Sequence, residues 1–227
     1  MKICFNRTGF LIFILHMKLI DLSHFISENM PVYPGTESPK LVSGCSVEVD
    51  GFLEKKITMF SHTGTHMDAP SHLLIGGKML DQLPLDQFYG SAFLLKLEDS
   101  KSKIIGIEEL KPHTDQFNQV DFLVVNTGWS QYWRSDQYFS DYPVFSLAAA
   151  EWLTRFNFKG IGLDMISIDE ISSHELPIHK VFLQKGTLIL ENLTNLDLIP
   201  GNRFTLSCFP LKIEDADGSP IRAVAIV

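Results

Sequence analysis

Residues 61–74 (SHTGTHMDAPSHLL) hold the side chains best suited to chemistry. Three of the chain's eight histidines, His62, His66 and His72, fall within eleven residues there, with Asp68 among them. Imidazole and carboxylate together are a favoured donor set for Zn²⁺ or a similar first-row cation. His62 and His66 lie four apart around Gly64, where the backbone bends without a Cβ penalty, so both rings can converge on one point. Asp68 stands two before Pro70, a residue suited to the first turn of a helix. The spacing predicts a helix that puts Asp68 and His72, at i and i+4, on one face. The bland alternative, a helix-capping Asp among ordinary polar histidines, explains one histidine far better than three. A structural site closes all four positions of a tetrahedron, whereas a catalytic site leaves one for water. Two further donors lie downstream: His179 in HELPIHK and Glu191, twelve residues on, at the end of the apolar run TLILE. Burying an unpaired carboxylate costs several kcal/mol, which a cation would offset. On spacing alone each can equally be an ordinary residue, and both readings stay open.

Elements must position these groups. Residues 31–39 (PVYPGTESP) read as a turn-rich loop, and 55–60 (KKITMF) as a β segment entering the histidine cluster. The runs 91–97 (SAFLLKL), 121–126 (DFLVVN), 160–164 (GIGLD) and 187–191 (TLILE) have the length of buried strands. Residues 146–156 (SLAAAEWLTRF) form the best helix candidate, with Ser146 as N-cap, an alanine run, and apolar residues at helical spacing. Strands alternating with helix in one unit predict an α/β fold.

The whole chain narrows the partners. Its 227 residues carry 27 acidic and 19 basic side chains, a net charge of −8, and no Lys/Arg-rich run. That argues against nucleic acid or an anionic membrane as partner. Cys4, Cys45 and Cys208 form no CxxC pair, so a disulfide framework or zinc ribbon is not expected, and a reducing, cytoplasmic compartment is the simplest setting. The apolar stretch 9–15 (GFLIFIL) is too short to span a bilayer, and no small-residue cleavage site follows it. Residues 1–16 are expected to be an N-terminal extension, with Met17 as an alternative start, and 17–227 the single functional domain.

The stretch His62-Thr-Gly-Thr-His66-Met-Asp68-Ala-Pro70-Ser-His72 resembles the H-x-G-T-H-x-D-x-P-x-H signature of the cyclase-like metal-dependent hydrolases, which include bacterial kynurenine formamidase and isatin hydrolase. Supporting pieces are LIDLS (19–23), MPVYPG (30–35), TGW (127–129), GLDMISI (162–168), ENLTNLD (191–197) and DGSPIRAVAI (217–226). The resemblance covers roughly residue 18 to the C-terminus. It implies a mixed-sheet "swivelling" β/α domain assembled as a homodimer or higher homo-oligomer. It implies Zn²⁺ on His62, His66 and Asp68, a second ion on Asp68, His179 and Glu191, and His72 as general acid/base. Mn²⁺ is the alternative metal. The implied reaction is cleavage of a non-peptide C–N bond in a small aryl formamide, N-formylkynurenine first. An isatin-type cyclic-amide hydrolase and a non-catalytic metal-binding protein are the competing readings. Tyr33 and Trp129 are candidates to stack an aromatic substrate, while His24, His113 and His174 read as ordinary histidines and Arg222 as structural or substrate-touching. One departure stands out: many members carry Asp after the YPG turn, where this chain has Thr36.

Overall fold

The computed structural model describes residues 17–98, 100 and 102–227, and before them only two short strands, Ile3–Phe5 and Leu11–Phe13. The expectations for the apolar stretch 9–15 and the extension 1–16 otherwise lie outside the described residues.

One nine-stranded sheet organises the chain: β1 Leu19–Asp21, β2 His66–Asp68, β3 Tyr89–Lys96, β4 Phe122–Asn126, β5 Gly160–Leu163, β6 Leu188–Glu191, β7 Arg203–Ser207, β8 Gly218–Pro220 and β9 Val224–Ile226. Their order is β8-β2-β6-β5-β4-β3-β7-β9-β1. The four central strands β3 to β6 run parallel, and every outer pairing is antiparallel. The sheet curls until its far edge returns: Ser23, just past β1, bridges Leu193, just past β6, and Thr194 donates its backbone N–H to Leu22. This is the mixed α/β architecture expected from the sequence.

The central strands read as unbroken apolar runs because both of their faces are buried. Successive side chains alternate. Phe93, Leu95, Leu123, Val125, Ile161, Leu163 and Ile189 enter one core cluster, whereas Leu94, Phe122, Val124, Leu188 and Leu190 enter a second. The first is roofed by α1, Leu147–Leu153, and α2, Pro177–Leu183. The second fills the inside of the curl with Met67, Leu206, Ala223 and Ala225.

Helix α1 starts as expected, Ser146 Oγ accepting from the Ala149 N–H, and buries Ala149, Ala150 and Leu153. It stops at Leu153 rather than Phe156. Helix α2 carries no sequence signal beyond Pro177 at its first turn. Its cap comes from a distance: the Asp169 carboxylate accepts from the N–H groups of Ile178 (3.0 Å) and His179 (2.9 Å). The helix predicted to begin near Asp68 is not formed. His66–Asp68 is a strand, and only a single 3₁₀ turn, Pro70–His72, follows. Both flanks of the 66–68 segment offer strand partners, so ladder pairing outweighs the helical option.

Candidate metal centre

Strand register assembles the centre. His66 lies opposite Glu191 on β6 and opposite Pro220 on β8, while Asp68 lies opposite Ile189 and Gly218. His66 and Asp68 are two apart and share a face, while Met67 points into the core behind. Gly64, at φ +66°, turns the chain so that His62 folds back over the same face. Helix α2 delivers His179 from the other side. The five groups predicted to bind metal therefore meet, although their sequence positions span 62 to 191.

Asp68 stands in the middle. Its Oδ1 lies 2.7 Å from His62 Nδ1 and 3.3 Å from His66 Nε2, and its Oδ2 lies 3.6 Å from His179 Nε2. Glu191 Oε1 is 3.3 Å from His179 Nε2, and its Oε2 is 3.6 Å from His66 Nε2. In each of the groups His62/His66/Asp68 and Asp68/His179/Glu191, the donor atoms lie within 4.8 Å of one another. His66, Asp68, His179 and Glu191 are at most 4% exposed.

The nitrogens are aimed. His66 Nδ1 donates to the Gly64 carbonyl (2.8 Å), and His179 Nδ1 lies 2.6 Å from Asp169 Oδ2. Each ring thereby keeps Nε2 as its lone-pair atom, turned toward a carboxylate oxygen. Asn192 supports the first ring by donating to the same Gly64 carbonyl (2.9 Å) and accepting from the Tyr138 hydroxyl (2.8 Å). Glu191 Oε1 also accepts from the Ile168 N–H at 2.8 Å. Lone pairs and anionic oxygens converging in a buried space repel one another unless a positive charge joins them. The donor set thus fits one or two divalent cations, the Asp being able to serve both.

Electrostatics of the protein alone tell the same story. Burial opposes charge on His62, yet Asp68 and Asp217 outweigh it and hold the imidazole up to about 10. Burial likewise opposes charge on His179, and Asp169, Asp68 and Glu191 overcome it and raise the ring well above the usual value. Asp68 is held well below the carboxylate range by His62, His179 and His66, despite complete burial. The site draws positive charge by whatever means is available.

A cavity of about 650 Å³ opens over these groups. His72 stands at its wall on the 3₁₀ turn, its ring centroid 4.0 Å from that of His62. Burial lowers its pKa, with the His62 and His179 rings pushing the same way and Asp68 and Asp217 opposing. Tyr33, Phe60, Leu73 and Ile166 supply apolar and aromatic wall. Among the described residues no Lys or Arg lines this cavity.

Other expectations divide. Tyr33 lines the cavity and donates its hydroxyl to the Ile171 carbonyl, but Trp129 does not line it: the indole packs on the larger core and donates to the Tyr138 carbonyl. His24 stacks on Trp133 at 3.8 Å, and His113 packs beside Phe93 and Phe117. His174 is exposed and reaches the cavity rim. Arg222 is structural, forming a two-pronged pair with Asp21 at 2.8 Å. Thr36 lines the cavity. Asp169, Asn192 and Asp217 were not singled out from sequence. Asn192 and Asp217 act on partners remote in the chain and Asp169 on His179, ten residues on; Asn192 and Asp217 fall within the segments ENLTNLD and DGSPIRAVAI, and Asp169 directly follows GLDMISI.

Comparison with known proteins follows the same lines. The Cyclase family, described as "Putative cyclase", matches residues 20–170. A kynurenine formamidase from Geobacillus thermodenitrificans is 36% identical over 212 residues, 90% of this chain and 95% of the relative. A kynurenine formamidase from Bordetella avium is 32% identical over 214 residues, 91% and 97% of the two chains. Among solved structures, a "predicted metal-dependent hydrolase" from Bacillus stearothermophilus superposes with a TM-score of 0.78 at 28% identity, covering 93% of this chain and 99% of that one. An isatin hydrolase bound to the product analogue thioisatinate superposes at 0.83 over 93% and 92% of the two chains, at 22% identity, a likeness of fold. With a family match over most of its length and relatives this similar along nearly all of it, the chain belongs to the Cyclase family.

Proposed function

We propose that the chain is a metal-dependent hydrolase of non-peptide C–N bonds whose substrate is a small aryl formamide, N-formylkynurenine first, giving kynurenine and formate. One observation carries the reading: a single buried carboxylate, Asp68, serves two converging donor sets at the floor of a 650 Å³ cavity with His72, which neither set requires, at its wall. The kynurenine formamidases it resembles support the substrate class.

In this account His62, His66 and Asp68 hold one cation, and Asp68, His179 and Glu191 hold another, with Zn²⁺ the expected metal and Mn²⁺ the alternative. When bound, the cation polarises an amide carbonyl and activates water. The chain's own residues do the rest. Asp169 and the Gly64 carbonyl keep the His179 and His66 rings in one tautomer, presenting Nε2. Tyr33, Phe60 and Leu73 enclose an aromatic ring and exclude bulk water. His72 is free to move a proton, as an amine leaving group requires. Residues 17–227 are the functional unit, working in the cytoplasm as a homodimer or higher homo-oligomer.

An isatin-type cyclic-amide hydrolase is the second reading, because Thr36, in the cavity wall where many family members carry Asp after the YPG turn, bears on substrate choice without selecting the formamide. Formate assay with N-formylkynurenine separates the two: formate release supports the first, and opening of isatin without any formate from the formyl substrate supports the second. Metal bound without turnover of either substrate would leave a non-catalytic metal-binding protein.

A further inference from the structure

We infer that Asp217 is the positioning residue of His72, holding the ring in the tautomer that proton transfer needs. The inference rests on the role given to His72 above. Asp217 precedes β8 and is tied to the turn that carries His72, because its carbonyl accepts from the Ala69 N–H at 2.8 Å. Its side chain has a divided task. Oδ1 accepts from the Ser61 hydroxyl at 2.9 Å, while Oδ2 lies 3.0 Å from His62 Nε2 and 3.3 Å from His72 Nδ1. The His62 contact is an ordinary N–H···O distance and the His72 contact lies at the long end of that range. Ser61 fixes the rotation of the carboxylate, so Oδ2 stays on the two imidazoles. An anionic acceptor at Nδ1 keeps the proton of neutral His72 on that nitrogen and leaves Nε2 free to take or give one. The next residue reinforces the arrangement: a Cβ at Gly218 would lie 2.5 Å from the His62 ring, so this backbone is the seat on which that imidazole rests. The same contact of Oδ2 with His62 Nε2 leaves Nδ1 of His62 as the nitrogen turned to Asp68.

Metal-loaded full-length protein tests this by a double-mutant cycle of D217N and H72A, with metal content measured on each preparation. D217N is expected to keep its metal and a KM within about twofold of wild type, and to lose roughly 10–100-fold in kcat, as loss of an orienting partner does. In the H72A background the same change should cost less than about twofold, because its route of action is gone. In ¹⁵N-histidine spectra of the zinc-loaded protein, His72 should be protonated at Nδ1, and D217A should return it to the Nε2–H form. Should D217N not fold, Ser61→Ala frees the carboxylate without removing it and is expected to lower kcat about threefold with metal retained, a loss that also vanishes in H72A. Loss of metal in D217N, wild-type kcat, or an equal fold-loss in both backgrounds would each overturn the inference. Full turnover by H72A would instead remove the role of His72 itself.

Discussion

Asp68 turns one oxygen toward His62 and His66 and the other toward His179, so this one carboxylate belongs to both donor sets. Asp68→Asn removes the charge while keeping the shape. It is expected to bring metal content close to zero and to lower kcat/KM by at least about 100-fold, the scale of several kcal/mol of lost metal chemistry, measured by elemental analysis beside the formate assay. His72 makes the opposite prediction. His72→Ala should retain its metal and lose about 10²–10⁴-fold in kcat, the usual worth of a positioned acid or base. The two variants dissociate binding from chemistry.

Elements decide how these side chains meet. Helix α2 is short and poorly signalled, and Asp169 both caps it and holds His179 Nδ1. Asp169→Ala is expected to cost about 1–2 kcal/mol of stability, as loss of a cap does, and to weaken metal affinity by roughly 10–100-fold. Denaturant midpoints and metal titration read the two effects separately. The 62–72 motif was legible because its donors are close in sequence, and spacing alone brings them to one place. The same spacing misled on local form. Asp68 and His72 at i, i+4 suit a helix, but His66 and Asp68 at i, i+2 equally suit one face of a strand, and only the flanking strands β6 and β8 decide between them. Glu191 ended a strand run as expected, yet its place opposite His66 is a matter of register across 124 intervening positions, which no local pattern encodes. Asn192 and Asp217 escaped notice for the same reason, whereas Asp169, ten residues before His179, did so because α2 carries little signal of its own to mark a cap. Buried strands were easier, since two-faced burial leaves unbroken apolar runs in β4 and β6.

Across the whole molecule, the net charge of −8 overstates the solvated acid, because Asp68, Asp164, Asp169 and Glu191 are buried and committed to internal partners. A curled sheet buries apolar side chains on both faces, and the site sits where its antiparallel edge strands meet the parallel centre. Outside the donor set, His24 gives the fold an acid sensitivity. Burial first, and Arg134 next, lower its pKa from 6.5 to about 4, so the unfolded chain takes up that proton before the native one does. The stability it supports is therefore intact above pH 6.5 and lost as pH falls toward 4. A His24→Phe variant, keeping a ring to stack on Trp133, should lose less stability than wild type between pH 7 and 4.5 when urea midpoints are compared.

Formate release from N-formylkynurenine, followed as metal is returned to chelated protein, tests whether this buried donor set works through a bound cation on an aryl formamide. Activity should be absent after chelation and rise in proportion to metal restored, levelling at one or two ions per chain. Undiminished formate release from protein shown to be free of metal would contradict it.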